Sequence, residues 1–463
     1  MIALQTTPTA PRTIPPVDHI ETDTDAWRDM LNAARMATFD HHLKPETPQP
    51  WLDELVSRTL THEAANDPRT RKRRKTDAQA FREAVAAFAV DLVRESANEA
   101  SQGFLYRPVC RAELKATFVS RTNFEVLTAY WEAMGWLEKV NHTYHYIDFD
   151  GEKTDLVDYA KAARYRATPA FLTLAADHGI TPETVAQYFE RSFKDSALVQ
   201  VRESKGGNYL RPQKGKLVKW ADHKIKPHLK QIQYLNTMMQ EHNYSLTSPP
   251  AVRRLFNCSD REDFDLDLGG RLYAVSDDNW RNMPKAERAK ITIDGCATVE
   301  VDVKASHLSI LYALHGQTLV YRPDPYYLKG VPRWIVKGLV VAWMGRGKQP
   351  SRWPQKMIEE FHEKEGKKLG RVHRAKDIGA AMLARHPVLG ELKPDVLDWA
   401  NLQYEEAQCF IGAMMKLHED SIPSLPVHDS LRVRVDDLER VSEVLKAEYR
   451  SRLGFVPVLE MNL

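Results

Sequence analysis

Cysteine is scarce in this chain: four residues in 463, Cys110, Cys258, Cys296 and Cys409, with no paired spacing. That excludes a zinc knuckle and a disulfide framework, and it suits a reducing cytoplasm. Long apolar runs are also missing. None approaches the roughly 20 residues that a bilayer-spanning helix needs, so no membrane partner is expected. The opening MIALQTTPTAPRTIPP has no signal-peptide core and is expected to be a disordered tail, residues 1–24. Internal repeats are absent. A strong net charge is absent too, since the formal balance is only +2, and the total is therefore silent about nucleic acid.

What is present is an ordinary globular composition, 43% apolar and 28% charged. The length allows two to four domains with substantial cores. Charge is distributed unevenly. RTRKRRK, Arg69 to Lys75, is a dense basic run. Eight Lys or Arg residues lie between Lys205 and Lys230, where Asp222 is the only acid. Either stretch is a solvated surface or a track for phosphates.

The hydrophobic rhythm divides the chain. Residues 25–105 read as helices, with AQAFREAVAAFAVDLVRESA strongly amphipathic. From 106 to 180 the pattern changes. A short helix, AELKATF, precedes a longer one that opens at a cap-like Ser120. NHTYHYIDFDG then alternates and ends in an Asp-Gly turn. Helix, helix and β-wing resemble a winged helix-turn-helix module, in which the second helix enters the DNA major groove. That resemblance implies that Arg121, Thr122 and Asn123 face bases or phosphates. A helix–hairpin unit that touches no DNA fits the same pattern. Residues 181–254 read as a basic, mostly helical connector, and 255–463 as an α+β domain.

Three segments of the last domain carry chemistry. TVEVDV alternates like a strand and delivers Asp302 at its end, ahead of a helix for which Ser306 is a possible cap. PRWIVKGLVVAWMGRGK places Arg333 and Lys337 at i and i+4, on one helical face. Two such cations suit a triphosphate, but taken alone the segment is better explained by two snorkelling side chains on an otherwise buried helix. VHDSLRVRV follows the apolar SLPV and reads as a hairpin with His428 and Asp429 at its tip. Two strand-borne carboxylates brought into one sheet suit a pair of Mg²⁺ ions and phosphoryl transfer.

Asp on a strand, Arg-x₃-Lys on a helix and His-Asp on a hairpin, in that order, resemble the palm and fingers motifs of family A DNA polymerases and of single-subunit RNA polymerases of the bacteriophage and mitochondrial type. DLGGRLYAVS, Asp267 to Ser276, resembles the segment that in the RNA polymerases precedes the first catalytic aspartate. Ser430 after His-Asp is also closer to that branch. The likeness covers about 200 residues, from about 255 onward.

The resemblance implies an α+β fold with a right-hand palm and fingers at 255–463, the connector 181–254 being thumb-like. It implies a template-directed nucleotidyltransferase, with DNA as the expected template, nucleoside triphosphates as substrates, and Mg²⁺ (or Mn²⁺) held by Asp302, Asp429 and the Val303 carbonyl. Lys337 and Arg333 would bind the triphosphate, and His428 would lie beside the 3′ end. Arg271, Tyr273 and Gln403 would position the template hybrid. His307 stands where family A has a sugar-excluding glutamate. Trp343 and Met344 stand near the family's Tyr-Gly, which with His307 implies a place at the nucleotide, but Met344-Gly345 is one position out of register, which leaves the choice of sugar open. No upstream carboxylate set resembles a proofreading exonuclease. Such a compact enzyme suits a phage, plasmid or other mobile element in a bacterial cytoplasm. The alternative is a non-catalytic DNA-binding replication initiator or regulator with a degenerate polymerase-like domain. A nuclease using the same two aspartates is disfavoured, because few further acids cluster near them.

Overall fold

Residues 84–93 are buried on every side of their helix, which sets the plan of the first part of the chain. A helix apolar all round is a core element, not a surface one. The computed structural model describes residues 25–45, 47, 50–109, 114, 117–141, 143–149, 152–207, 212–246, 249–275, 280–427 and 429–462. It is a mixed α+β protein with two units, Met1–Lys194 and Asp195–Leu463. No described helix is long and apolar enough to cross a membrane.

In the first unit the elements used here are α1 (Pro50–Asn66), α2 (Lys75–Glu95), β1 (Leu105–Tyr106), α3 (Arg121–Ala133), β2 (Leu137–Val140), β3 (Thr143–Phe149), β4 (Glu152–Lys161) and β5 (Arg164–Ala167). The buried helix is α2. Its Phe88 stacks on Trp131 of α3, ring centroids 5.1 Å apart, and Trp131 Nε1 donates to Thr59 Oγ1 of α1 at 3.0 Å. Three helices thus share one aromatic core. Ser120 caps α3 as the sequence suggests, its hydroxyl accepting from the Asn123 N–H at 3.1 Å. The strands β1, β5 and β2 lie in that order, antiparallel, with Arg35–Met36 parallel to the outer side of β1. β3 and β4 form a separate antiparallel hairpin. Most of the expected AELKATF helix lies outside the described residues, as does the Asp-Gly turn.

The second unit contains β6 (Val199–Arg202), α4 (Asp222–Gln240), β7 (Val252–Phe256), β8 (Gly269–Ala274), β9 (Cys296–Val303), α5 (Ser306–Leu314), α6 (Arg333–Arg346), α7 (Trp399–Glu419), β10 (Ser424–Val427), β11 (Ser430–Arg434), α8 (Leu438–Leu453) and β12 (Leu459–Asn462). One sheet runs Leu217–Val218, β6, β7, β8. The other runs β12, β9, β11, β10, all antiparallel neighbours. On β9, Val299, Val301 and Val303 are buried, and across the strand Val433 and Leu431 stand opposite the first two. The intervening Thr298, Glu300 and Asp302 share the opposite, polar face. The alternation of TVEVDV therefore separates an apolar side from a row of polar groups.

The link from β9 to α5 differs from expectation. Ser306 is not the cap. The N-cap is Ala305 in the left-handed region, φ 51°, with no side-chain cap bond. Ser306 is the first helical residue, buried, with its hydroxyl 3.3 Å from that of Tyr449.

Candidate active site

The polar row of β9 is neutralised residue by residue until its last member. Thr298 Oγ1 accepts from Arg432 Nη1 at 2.9 Å. Glu300 is held by Arg288 Nε at 2.9 Å and by the Ser430 hydroxyl at 2.9 Å, with Arg432 Nη2 at 3.4 Å. Burial would raise its carboxyl, but these partners keep it below the ordinary range. Asp302 follows two residues later and has no cation at ion-pair distance among the described residues. Its Oδ1 is buried and without a hydrogen-bond partner.

Asp302 and Asp429 do converge. The cross-strand neighbour of Asp302 is Ser430, and Asp429 is the exposed turn residue just before it. Burial, then the Asp429 charge, push the Asp302 carboxyl up to about 7, against a hydrogen bond from the Val303 N–H. Two further acids add to the push, and sequence reading missed both. Glu460 on β12 stands directly across from Asp302. Glu406 on α7 is almost fully buried. Glu460 sits within VLEMNL, which has the alternation of a short strand and offers that much signal. Glu406 is one acid on an amphipathic helix and gives none.

Glu406 is tied to two of the expected site residues. Arg271 Nε donates to Glu406 Oε2 at 3.0 Å, and a second guanidinium nitrogen contacts the same oxygen. His307 Nε2 lies 3.4 Å from that oxygen and 3.3 Å from Arg271 Nη2. Burial opposes ionisation of Glu406, but the His307 and Arg271 charges hold its carboxyl down at about 2. Arg271 is therefore a partner of α7 as well as a neighbour of Asp429, whose charge adds to the rise in its own pKa. The two glycines before it explain the DLGG spelling. Gly269 and Gly270 have φ of 77° and 67°, at an irregularity in the β7–β8 ladder. A Cβ on Gly270 would lie 3.2 Å from the Tyr404 ring and 3.3 Å from Arg254 Nη2.

The α6 residues separate into two faces. Arg333 and Lys337 are exposed on one. Arg333 Nε lies 3.2 Å from Asp324 Oδ2, and its guanidinium stands over the Tyr326 ring. Lys304 joins that cluster, 3.7 Å from Asp324 and 3.3 Å from Glu460. Trp343 and Met344 are on the buried face, 3% and 2% exposed, so the structure packs them into the core and leaves no open surface on them. Val303 is likewise buried. Tyr273 and Gln403 line a cavity whose wall includes neither aspartate. Arg281 covers the Tyr273 ring at 4.6 Å. His428 lies outside the described residues.

In the first unit, Arg121 and Thr122 are exposed at the start of α3, with Arg121 Nε 2.8 Å from Glu125 Oε1. Asn123 is half-buried and its amide reaches the Ala80 carbonyl at 3.5 Å. Part of the basic run is anchored: Arg73 grips Glu63 with both terminal nitrogens and stacks on Phe81, 4.1 Å from the ring centre.

The first unit also gathers Asp40, His41 and Asp91, with one ligand-type atom each inside 4.8 Å. Arg94 Nη1 lies 3.2 Å from His41 Nε2. A guanidinium only donates, so this contact places the ring proton on Nδ1. There it faces Asp40 Oδ1 at 3.0 Å and Asp91 Oδ1 at 3.5 Å. Burial disfavours a second proton, whereas the two carboxylates raise the His41 pKa. Asp40 is engaged further by Arg191 at 2.6 Å.

No family model matches the chain, and no curated protein sequence matches it. Among solved structures, the POL domain of Pol1 from M. smegmatis in complex with DNA primer-template and dNTP aligns at 12% identity and a TM-score of 0.27. The alignment covers 56% of this chain and 57% of that one. The chain thus spans little more than half of that structure, and an overlap at this TM-score carries no weight for the site or the activity.

Proposed function

We propose that the second unit is a template-directed nucleotidyltransferase of palm-and-fingers type, built on the sheet that carries Asp302 and Asp429. The observation that carries this reading is the buried, unpartnered Oδ1 of Asp302. Thr298 and Glu300 in its row are bound by arginines, whereas Asp302 stands among further acids with no cation at ion-pair distance among the described residues. An arrangement that costs stability in the bare protein is the expected signature of a divalent-cation site.

Asp302 and Asp429 would hold two Mg²⁺ ions, with Mn²⁺ as a substitute and the Val303 carbonyl alongside. When bound, such ions stabilise the attacking and leaving oxygens of an in-line displacement. The chain's own residues do the rest. Lys337 and Arg333 would receive the triphosphate from one helical face, Arg333 exchanging the Asp324 carboxylate for phosphate. His307, steadied by Glu406 and Arg271, would border the sugar. His428 would lie beside the 3′ end of the growing strand. The order and pairing of β1, α3, β2, the β3–β4 hairpin and β5 support reading residues 106–180 as a winged helix with α3 turned to the DNA groove.

A second reading draws on a different observation. Arg271 and Arg333, both expected to touch nucleic acid or nucleotide, are each held by a carboxylate. That favours a non-catalytic DNA-binding initiator with a degenerate site. Primer extension with NTPs and dNTPs supplied separately on DNA and RNA templates decides between the two. Extension with Mg²⁺ or Mn²⁺ supports the enzyme and identifies its sugar. Tight DNA binding with no incorporation from any nucleotide supports the initiator.

A further inference from the structure

The second unit holds a cavity of about 740 Å³ between the β6–β7–β8 sheet and the ends of α6 and α7 that the proposed function leaves unexplained. Its size falls within the range of small-ligand pockets. Its lining is chemically mixed in a particular way. Gln200 on β6 is 6% exposed, and its amide oxygen is buried with no hydrogen-bond partner. Gln403 on α7 lines the same cavity, and its amide oxygen is orphaned as well. A buried amide oxygen left unpaired is costly, so two in one wall point to an occupant that donates hydrogen bonds to them. Trp399 adds a half-exposed aromatic ring.

Arg202 and Lys205 from one stretch, with Lys214 and Arg346 from two others, bring four of the lining's cations to the rim, beside Arg253 and Arg261. The acids among the lining residues are mostly neutralised. Arg261 Nη2 holds Asp398 at 2.6 Å and Asp395 at 3.3 Å, which leaves Glu203 as the unpaired one among the described residues. Such a lining fits an anionic occupant with hydrogen-bonding edges for two amides and a flat ring for Trp399.

We infer that this cavity seats an unpaired nucleotide of a single-stranded nucleic acid. Its base lies against Trp399 and the Gln200 and Gln403 amides, and its flanking phosphates lie on Arg202, Lys205, Lys214 and Arg346. Aromatic stacking plus a basic track is the general means of holding a single strand. Glutamine amides add hydrogen-bonding contact with base edges, so the site prefers some bases to others. Cations spread around a rim suit a backbone passing through better than they suit a single clustered triphosphate. The inference rests on the nucleotidyltransferase reading only for the source of the strand, the unpaired template ahead of the site.

The test needs no catalysis. The full chain, without metal, is irradiated with a short oligonucleotide carrying a single 5-iodouracil, and the adducted peptide is identified. The expected adduct is on Trp399 or Tyr273. In parallel, anisotropy measures binding of dA, dC and dT homopolymers by wild type, by Lys214→Ala/Arg346→Ala and by Gln200→Leu. The double variant, altered only at exposed positions, should flatten the slope of log K against log salt by about 1.4, as expected for two lost phosphate contacts on a single strand. Gln200→Leu should narrow the differences among homopolymers and leave that slope unchanged. Adducts confined to other peptides, or a double variant with the wild-type salt slope, overturn the inference. Full displacement of the oligonucleotide by a free mononucleotide also overturns it, since the cavity is then a mononucleotide site. Loss of primer extension with the Trp399 adduct intact would sink the enzyme reading and leave this one standing. Extension with no such adduct would do the reverse.

Discussion

Glu300 and Asp302 stand two residues apart on one strand face and differ in everything that matters electrostatically. Arg288, Arg432 and Ser430 serve Glu300, while burial and the Asp429 charge bear on Asp302. The consequence for stability has a definite sign. The folded state holds a proton on Asp302 up to about pH 7, whereas the unfolded chain releases it near the ordinary aspartate value. Asp302 therefore subtracts stability increasingly as pH rises from about 4 to about 7, where the unfolded state binds fewer protons. In metal-free buffer at pH 8, Asp302→Asn should be more stable than wild type by about 2 kcal/mol, after discounting for partial solvent screening. The gap should shrink towards pH 4. Thermal unfolding across that range, with and without Mg²⁺, reads it directly. Mg²⁺ should raise the wild-type midpoint at pH 8 and leave that of Asp302→Asn nearly unchanged. Glu406 makes the opposite case. Glu406→Gln leaves Arg271 unneutralised in a largely buried place, and a loss of about 3 kcal/mol or more in denaturant unfolding is expected.

At the scale of elements, local patterning proved a good guide wherever two faces differ. TVEVDV became β9 because its valines share one side, and the SLPV and SLRVR runs became the antiparallel pair β10 and β11. Arg333 and Lys337 emerged on the exposed face of α6 for the same reason. Long-range pairings were not legible. Nothing local announces that Glu406 meets Arg271, 135 positions away, or that β12 would bring Glu460 across from Asp302. The resemblance to the family's Tyr-Gly implies that Trp343 and Met344 border the nucleotide, yet their helical phase turns them to the core. The Gly-Gly of DLGG was legible as a motif but not as a bend. Its reason is the pair of left-handed residues beneath Tyr404 and Arg254. Gly270→Ala should therefore cost about 1–3 kcal/mol in chemical denaturation, through backbone strain and crowding of Tyr404. A neutral result would remove the close packing of β8 on α7 from the account.

At the scale of the whole molecule, the chain joins two units that divide after Lys194. The stretch 181–254 includes strands as well as α4. The basic residues from Lys205 to Lys230 then belong to the unit that carries Asp302 and Asp429. If they track phosphates, DNA affinity should fall steeply between 50 and 200 mM salt, and filter binding or anisotropy would show it. A flat response would make them solvated surface. Placing Arg121 and Thr122 at a DNA groove makes a separate claim. Arg121→Glu should weaken duplex binding by about tenfold or more while leaving primer extension on a preformed, saturating template intact. Unchanged duplex affinity would leave the first unit as a docking module.

The measurement that bears most directly on the whole account is incorporation of a labelled nucleotide onto a primed template by three folded proteins: wild type, Asp302→Ala and Asp429→Ala. The account predicts incorporation by the wild type with Mg²⁺ or Mn²⁺, and none by either variant. Wild-type rates from either variant, or no incorporation by the wild type with any nucleotide and both metals, would contradict it.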